Sequence, residues 1–150
     1  MTIEGIVARG YGIASGTNKD GIPGPNGEIL KDSFVRQRSF FEKKIPGIKH
    51  IWTGTINLDI SPKNARMRTF DYEITCEWHP GLTETFGVVE GVWVHFKGKI
   101  YSPAFIYYPM PSEIHVPRHE IIEILAPKIE GLAYGDRVMI DVSSRKITCT

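Results

Sequence analysis

Cysteine is scarce in this chain: Cys76 and Cys149 are the only two among 150 residues, and neither stands in a CxxC pair. Their spacing suggests neither a disulfide framework nor a zinc knuckle and fits a reducing compartment. An excess of one charge sign is also missing. Lys plus Arg number 18 against 17 Asp plus Glu, so there is no global field to hold a polyanion or an acidic membrane, and nucleic acid is disfavoured as a partner. No stretch reaches the roughly 18 apolar residues of a membrane span. The start, Met1 to Arg9, lacks the apolar run of a signal peptide. A soluble, cytoplasmic protein is expected, and its length suits one domain, 1–150, able to bury a core without staples.

Several catalytic signatures are missing as well. There is no GxSxG, and neither cysteine has a histidine beside it in sequence. His115 and His119 have the spacing that puts two zinc ligands on one helix face, but Pro117 between them breaks such a helix and no Glu follows His115. No Walker lysine follows the early glycine loop.

What is present is organised around Thr53-Gly54-Thr55-Ile56-Asn57-Leu58-Asp59-Ile60. Strand side chains alternate, so Thr55, Asn57 and Asp59 share one face while Ile56, Leu58 and Ile60 turn toward a core. Behind the polar row stands Gly54, where a ligand can approach the backbone. Hydroxyl and amide oxygens are hard ligands that suit Mg²⁺ shared with substrate phosphates. A half-exposed strand has the same pattern with no ligand at all, and both readings stay open on these residues.

Upstream, Glu4 to Arg9 reads as a short strand running into Gly10-Tyr11-Gly12-Ile13-Ala14-Ser15-Gly16, a loop whose glycines can turn N–H groups outward to cradle phosphates, or simply turn. Thr17 to Lys31, with Gly21, Pro23, Gly24, Pro25 and Gly27, predicts a long mobile surface loop, either a lid or a tolerated insertion. Phe34, Arg38, Phe41 and Ile45 recur at helical spacing, Asp32 or Ser33 can cap, and Pro46-Gly47 ends the run, so a helix is predicted over about Ser33 to Lys44.

Strands dominate the remainder. Arg68 to Cys76 alternates, Trp78-His79-Pro80-Gly81 reads as a turn, and Thr85 to Phe96 is β-rich with Gly87 and Gly91 as candidate bulges. Lys97-Gly98 turns the chain into Ile100 to Tyr108, Ile121 to Leu125 is short and β-branched, and Arg137 to Val142 reads as the final strand. Many short strands, one helix and no βα alternation predict a mainly β fold, most economically a small closed barrel. Arg66 and Arg68 read as a solvated strand edge.

Taken in order, IEGIVARGYG, TGTINLDI, HxPxxxIIEILAP and LxxGDxVxIxV resemble the archaeal CTP-dependent riboflavin kinases across nearly the whole chain. The family shows Gly-x-Val before a Gly-x-Gly loop, a GTLN-type motif, an EIIEIIAP-type segment and a terminal GD strand. The resemblance implies a six-stranded cradle-loop (RIFT-like, swapped-hairpin-related) barrel, with Mg²⁺ on Thr55 and Asn57. It also implies a nucleotide, CTP above others, on Gly10, Gly12, Ala14 and Ser15, and riboflavin as the acceptor that becomes FMN. His115 matches a histidine that precedes the EIIEI segment, facing the ligand or fixing its loop. A carboxylate to orient the accepting hydroxyl is sought in Glu120, with Glu123 behind it; each also reads as an ordinary strand residue. The chain departs from the family in having Gly12-Ile13-Ala14-Ser15-Gly16 for the usual GxGEG, the Gly/Pro insertion after it, and Thr53 before the motif. Three readings follow: such a kinase, a non-catalytic nucleotide- or flavin-binding barrel, and an interaction or DNA-binding barrel, the last opposed by the balanced charge.

Overall fold

The computed structural model describes residues 1–9, 22–23, 29–30, 33–52, 54–112 and 116–150. In chain order the strands are β1 (Thr2–Ala8), β2 (Ile22–Pro23), β3 (Ile29–Leu30), β4 (Ile56–Asp59), β5 (Ala65–Met67), β6 (Tyr72–His79), β7 (Leu82–Phe96), β8 (Lys99–Pro109), β9 (Ile121–Leu125), β10 (Arg137–Asp141) and β11 (Ile147–Cys149). One α-helix, α1 (Ser33–Glu42), and a 3-10 turn, Ile48–His50, stand between β3 and β4. The main sheet runs β10-β1-β4-β9-β8-β7-β6, and pairing of β10 with β7 closes it into a ring with β6 attached outside β7. Every pairing in it is antiparallel. The fold is therefore mainly β, as the alternating patterns predict. Among the described residues no helix is long and apolar enough to cross a membrane.

Alternation sends the side chains of the ring to two separate cores. Ile3, Val7, Leu58, Ile60, Val94, Ile106, Ile122, Ile124, Val138 and Ile140 come from all the closing strands and fill the inside. The opposite face of β6 to β9 carries Ile74, Trp78, Phe86, Phe105, Tyr107 and Leu125, which α1 covers with Phe41 and the chain just past it with Ile45. Gln37 and Phe41, at i and i+4, are buried on one helix face, and Ile45, whose N–H donates to the Phe41 carbonyl at 2.9 Å, continues that buried side past the helix end. On the other side of α1, Arg38 pairs with Glu42 at 3.0 Å and donates to the Lys49 carbonyl at 2.7 Å, pinning the helix end to the 3-10 turn.

Several boundaries differ from the sequence reading. Trp78 and His79 belong to β6, and the turn contracts to Pro80-Gly81, because the buried Trp78 ring continues the alternation of Ile74 and Cys76. Arg68 and Thr69 lie before β6 because their N–H groups go to the Lys146 carbonyl instead of a neighbouring β strand. Arg137–Asp141 is not the final strand: β11 follows and pairs with β5. Gly91, at φ 73°, sits in the register break between Val89 and Val92, as a bulge glycine should. Gly87 keeps register with Tyr108, and its role is closeness, since a Cβ there would stand 2.5 Å from the Phe70 ring.

Candidate functional site

Thr55, Asn57 and Asp59 face away from the inner core, as the alternation predicts, while Leu58 is fully buried and Ile56 packs against that core. The sheet then sets their neighbours. Asn57 is the register partner of Ala8 on β1 and of Glu123 on β9; Glu123 is in turn the partner of Tyr107 on β8. A row therefore crosses the outer surface in the order Ala8, Asn57, Glu123, Tyr107. The Thr55 hydroxyl reaches the Glu123 carboxylate at 3.5 Å.

This row leads to the border of the core under α1. Tyr107 is buried and donates its hydroxyl hydrogen to Gln37 Oε1 at 2.8 Å. Burial first, then the nearby Glu123 charge, pushes the Tyr107 phenol well above its ordinary value, so it stays protonated. The Tyr107 end of the row is dry and fixed, while Asn57, and Thr55 beside the row, are half-exposed.

Among the described residues no three His, Cys, Asp or Glu side chains gather to hold an ion by themselves. Thr55 and Asn57 make a different set: a hydroxyl and an amide oxygen, both hard and uncharged, with the Glu123 carboxylate beside Thr55. Such a set fits Mg²⁺, which keeps several waters and takes few protein ligands when phosphates supply the rest.

Glu120 is placed elsewhere. Its backbone carbonyl accepts from the Ile60 N–H, at the end of β4 away from Thr55, about 10 Å along β9 from Glu123. The hydrogen bond from its own backbone N–H first, then that from the Arg118 guanidinium at 2.9 Å, holds its carboxyl below the usual value. Glu123 is the carboxylate that meets Thr55. The signal for it in the sequence was a lone acid in the middle of Ile121-Ile122-Glu123-Ile124-Leu125, pointing opposite to the buried Ile122 and Ile124. Gly10, Gly12, Ala14, Ser15 and His115, together with nearly all of the Thr17 to Lys31 loop, lie outside the described residues. Within that loop Ile22–Pro23 pairs antiparallel with Ile29–Leu30.

Four further residues at this end escaped the sequence reading. The Arg9 guanidinium lies over the Tyr134 ring, 4.7 Å from its centre, and Lys128 Nζ lies over the Trp52 ring at 4.9 Å. Both rings are about half exposed, at 50% for Trp52 and 56% for Tyr134. Compared with protein-family models and with curated proteins, the chain matches no family model and no curated protein.

Proposed function

We propose that this chain is a nucleoside-triphosphate-dependent kinase, using CTP, that transfers a phosphoryl group to riboflavin to give FMN, or a close relative of such an enzyme. One observation carries the reading: Thr55 and Asn57 at the start of β4 and Glu123 on β9 share one outer face beside the end of β1. The ring of strands is compatible with the six-stranded cradle-loop barrel that the resemblance implies, and the described outer face is where a ligand would lie.

Phosphoryl transfer needs alignment and charge neutralisation more than covalent help. In this reading Thr55 and Asn57 supply oxygens to Mg²⁺, and the ion, when bound, offsets phosphate charge. Glu123 takes the role first sought in Glu120: its carboxylate accepts the hydrogen of the riboflavin hydroxyl and aims the oxygen at the terminal phosphorus. The Gly10 to Ser15 amides receive the phosphates, as the loop composition suggests.

The test is direct. Purified protein with riboflavin, Mg²⁺ and each of CTP, ATP, GTP and UTP is assayed by chromatography for FMN, with thermal shifts read for every ligand alone. FMN formed with CTP and lost in Asn57→Ala supports the kinase. No FMN with any donor, but stabilisation by nucleotide or flavin, would replace it with the non-catalytic binding barrel.

A further inference from the structure

We propose that Arg9 and Lys128 form a two-sided clamp for a polyphosphate chain, each cation held in place by an aromatic ring on one side of Thr55. This rests on the kinase reading for its biological role, but its physical basis is separate. Strand β4 lies between β1 and β9 and runs antiparallel to both, so the end of β1, the start of β4 and the end of β9 meet at one rim. Arg9 directly follows β1. Tyr134 is fastened beside it, because the next residue, Gly135, donates its N–H to the Val7 carbonyl at 2.8 Å. On the far side, Trp52 donates its backbone N–H to the Ala126 carbonyl at 2.9 Å, just past β9, and Lys128 reaches back over its ring.

A ring holds a cation without neutralising it. Stacking restrains the long side chain through the quadrupole and the apolar stem, yet leaves the N–H donors unspent. Among the described residues Arg9 has no carboxylate partner, while Lys128 has one distant ion pair, to Glu130 at 3.6 Å, whose side chain is 83% exposed. A guanidinium over a tyrosine ring keeps its N–H donors, and their fork can grip two phosphate oxygens together. Strands β1 and β9, with β4 between them, are about 10 Å apart. Both cations stand on long side chains at that rim, so a chain of linked phosphates is a ligand that can meet the two together. The ligand class is thus a polyphosphate, with its charge shared between the two cations and any ion at Thr55 and Asn57.

Inorganic tripolyphosphate is the probe, titrated calorimetrically into the full chain. Arg9→Gln and Lys128→Gln are each expected to weaken binding on the order of tenfold, and the double variant more, as loss of charge-assisted hydrogen bonds requires. Riboflavin affinity and melting temperature should not move. Lys97→Gln is the matched control, since Lys97 also sits over a ring, Phe96 at 5.2 Å, but at the hairpin between β7 and β8. It should bind like the wild type. The clamp is overturned if the wild type binds no tripolyphosphate, if the double variant binds it unchanged, or if Lys97→Gln loses as much. Its failure and that of the kinase are separable. Protein that makes no FMN but binds tripolyphosphate through Arg9 and Lys128 keeps the clamp. Protein that makes FMN with an unchanged nucleotide KM in the double variant loses it.

Discussion

Asn57 and Glu123 face each other across β4 and β9 as register partners, an amide beside a carboxylate on a surface whose reverse side is fully apolar. Because the two groups stand on neighbouring strands of a closed sheet, their spacing is set by backbone hydrogen bonds and does not depend on a loop. The half-exposed position of Asn57 separates its chemistry from the packing behind it.

That separation can be measured. Asn57→Ala is expected to abolish Mg²⁺-dependent nucleotide binding while costing only about 1 kcal/mol or less of stability, because no core cavity opens. Leu58→Ala, one residue along and fully buried, should cost about 2 to 5 kcal/mol while leaving the oxygen donors in place. Denaturant melts and metal-dependent titrations on both variants decide it. Undiminished Mg²⁺-dependent binding by folded Asn57→Ala would remove the metal assignment.

Glu123→Gln tests the carboxylate. The substitution keeps size and hydrogen-bonding capacity but not the charge, so turnover should fall by about 100-fold or more with nucleotide affinity little changed. Glu120→Gln is the contrast, since that group is engaged with Arg118 at the other end of the strand. Equal losses in the two variants would show that Glu123 has no special part.

Gly5 has a packing role. A Cβ there would stand 2.6 Å from the Asp59 carbonyl oxygen and 2.7 Å from Leu58 Cγ, so β4 would have to move. Gly5→Ala should therefore destabilise by about 1 to 3 kcal/mol, the range of overpacked sites. A neutral result in chemical denaturation would mean that β1 and β4 can separate at no cost.

The bond from Tyr107 to Gln37 fastens α1 to the sheet. Tyr107→Phe leaves the buried Gln37 oxygen without that donor and should cost about 1 to 3 kcal/mol. Gln37→Leu combined with Tyr107→Phe should recover part of the loss. A strictly additive double-mutant cycle would show that the bond contributes nothing.

Acid should weaken the ring closure at β10. The Thr2 hydroxyl first, and His95 after it, hold the Asp141 carboxyl below its ordinary 3.8, against the opposing effect of burial. A carboxyl depressed in the folded state adds stability that is complete above its unfolded value and is lost as pH falls through the folded one. The stability gap between wild type and Asp141→Asn should thus be present at about pH 5 and close below about pH 4. Thermal melts across that range measure it; a gap that widens on acidification would reverse the assignment.

The sequence by itself determined what depends on near neighbours. Alternation marked β1, β4, β9 and the buried faces of β6, β7 and β8, because a period of two reports a sheet face whatever its partner. Helical spacing marked α1, the Lys97-Gly98 pair marked a hairpin whose residues take φ 48° and 75°, and Gly91 marked a bulge. The polar row Thr55, Asn57, Asp59 was legible for the same local reason. Tertiary structure alone decided which strands pair and in what register, since those bonds join residues distant in sequence. That is why β11 beside β5, the closure of β10 on β7, and the cations on Trp52 and Tyr134 were not foreseen. Glu120 and Glu123 show the difference most sharply. Spacing along the chain cannot rank two acids three residues apart, but the register of β9 against β4 puts one with Thr55 and sends the other about 10 Å away to Arg118.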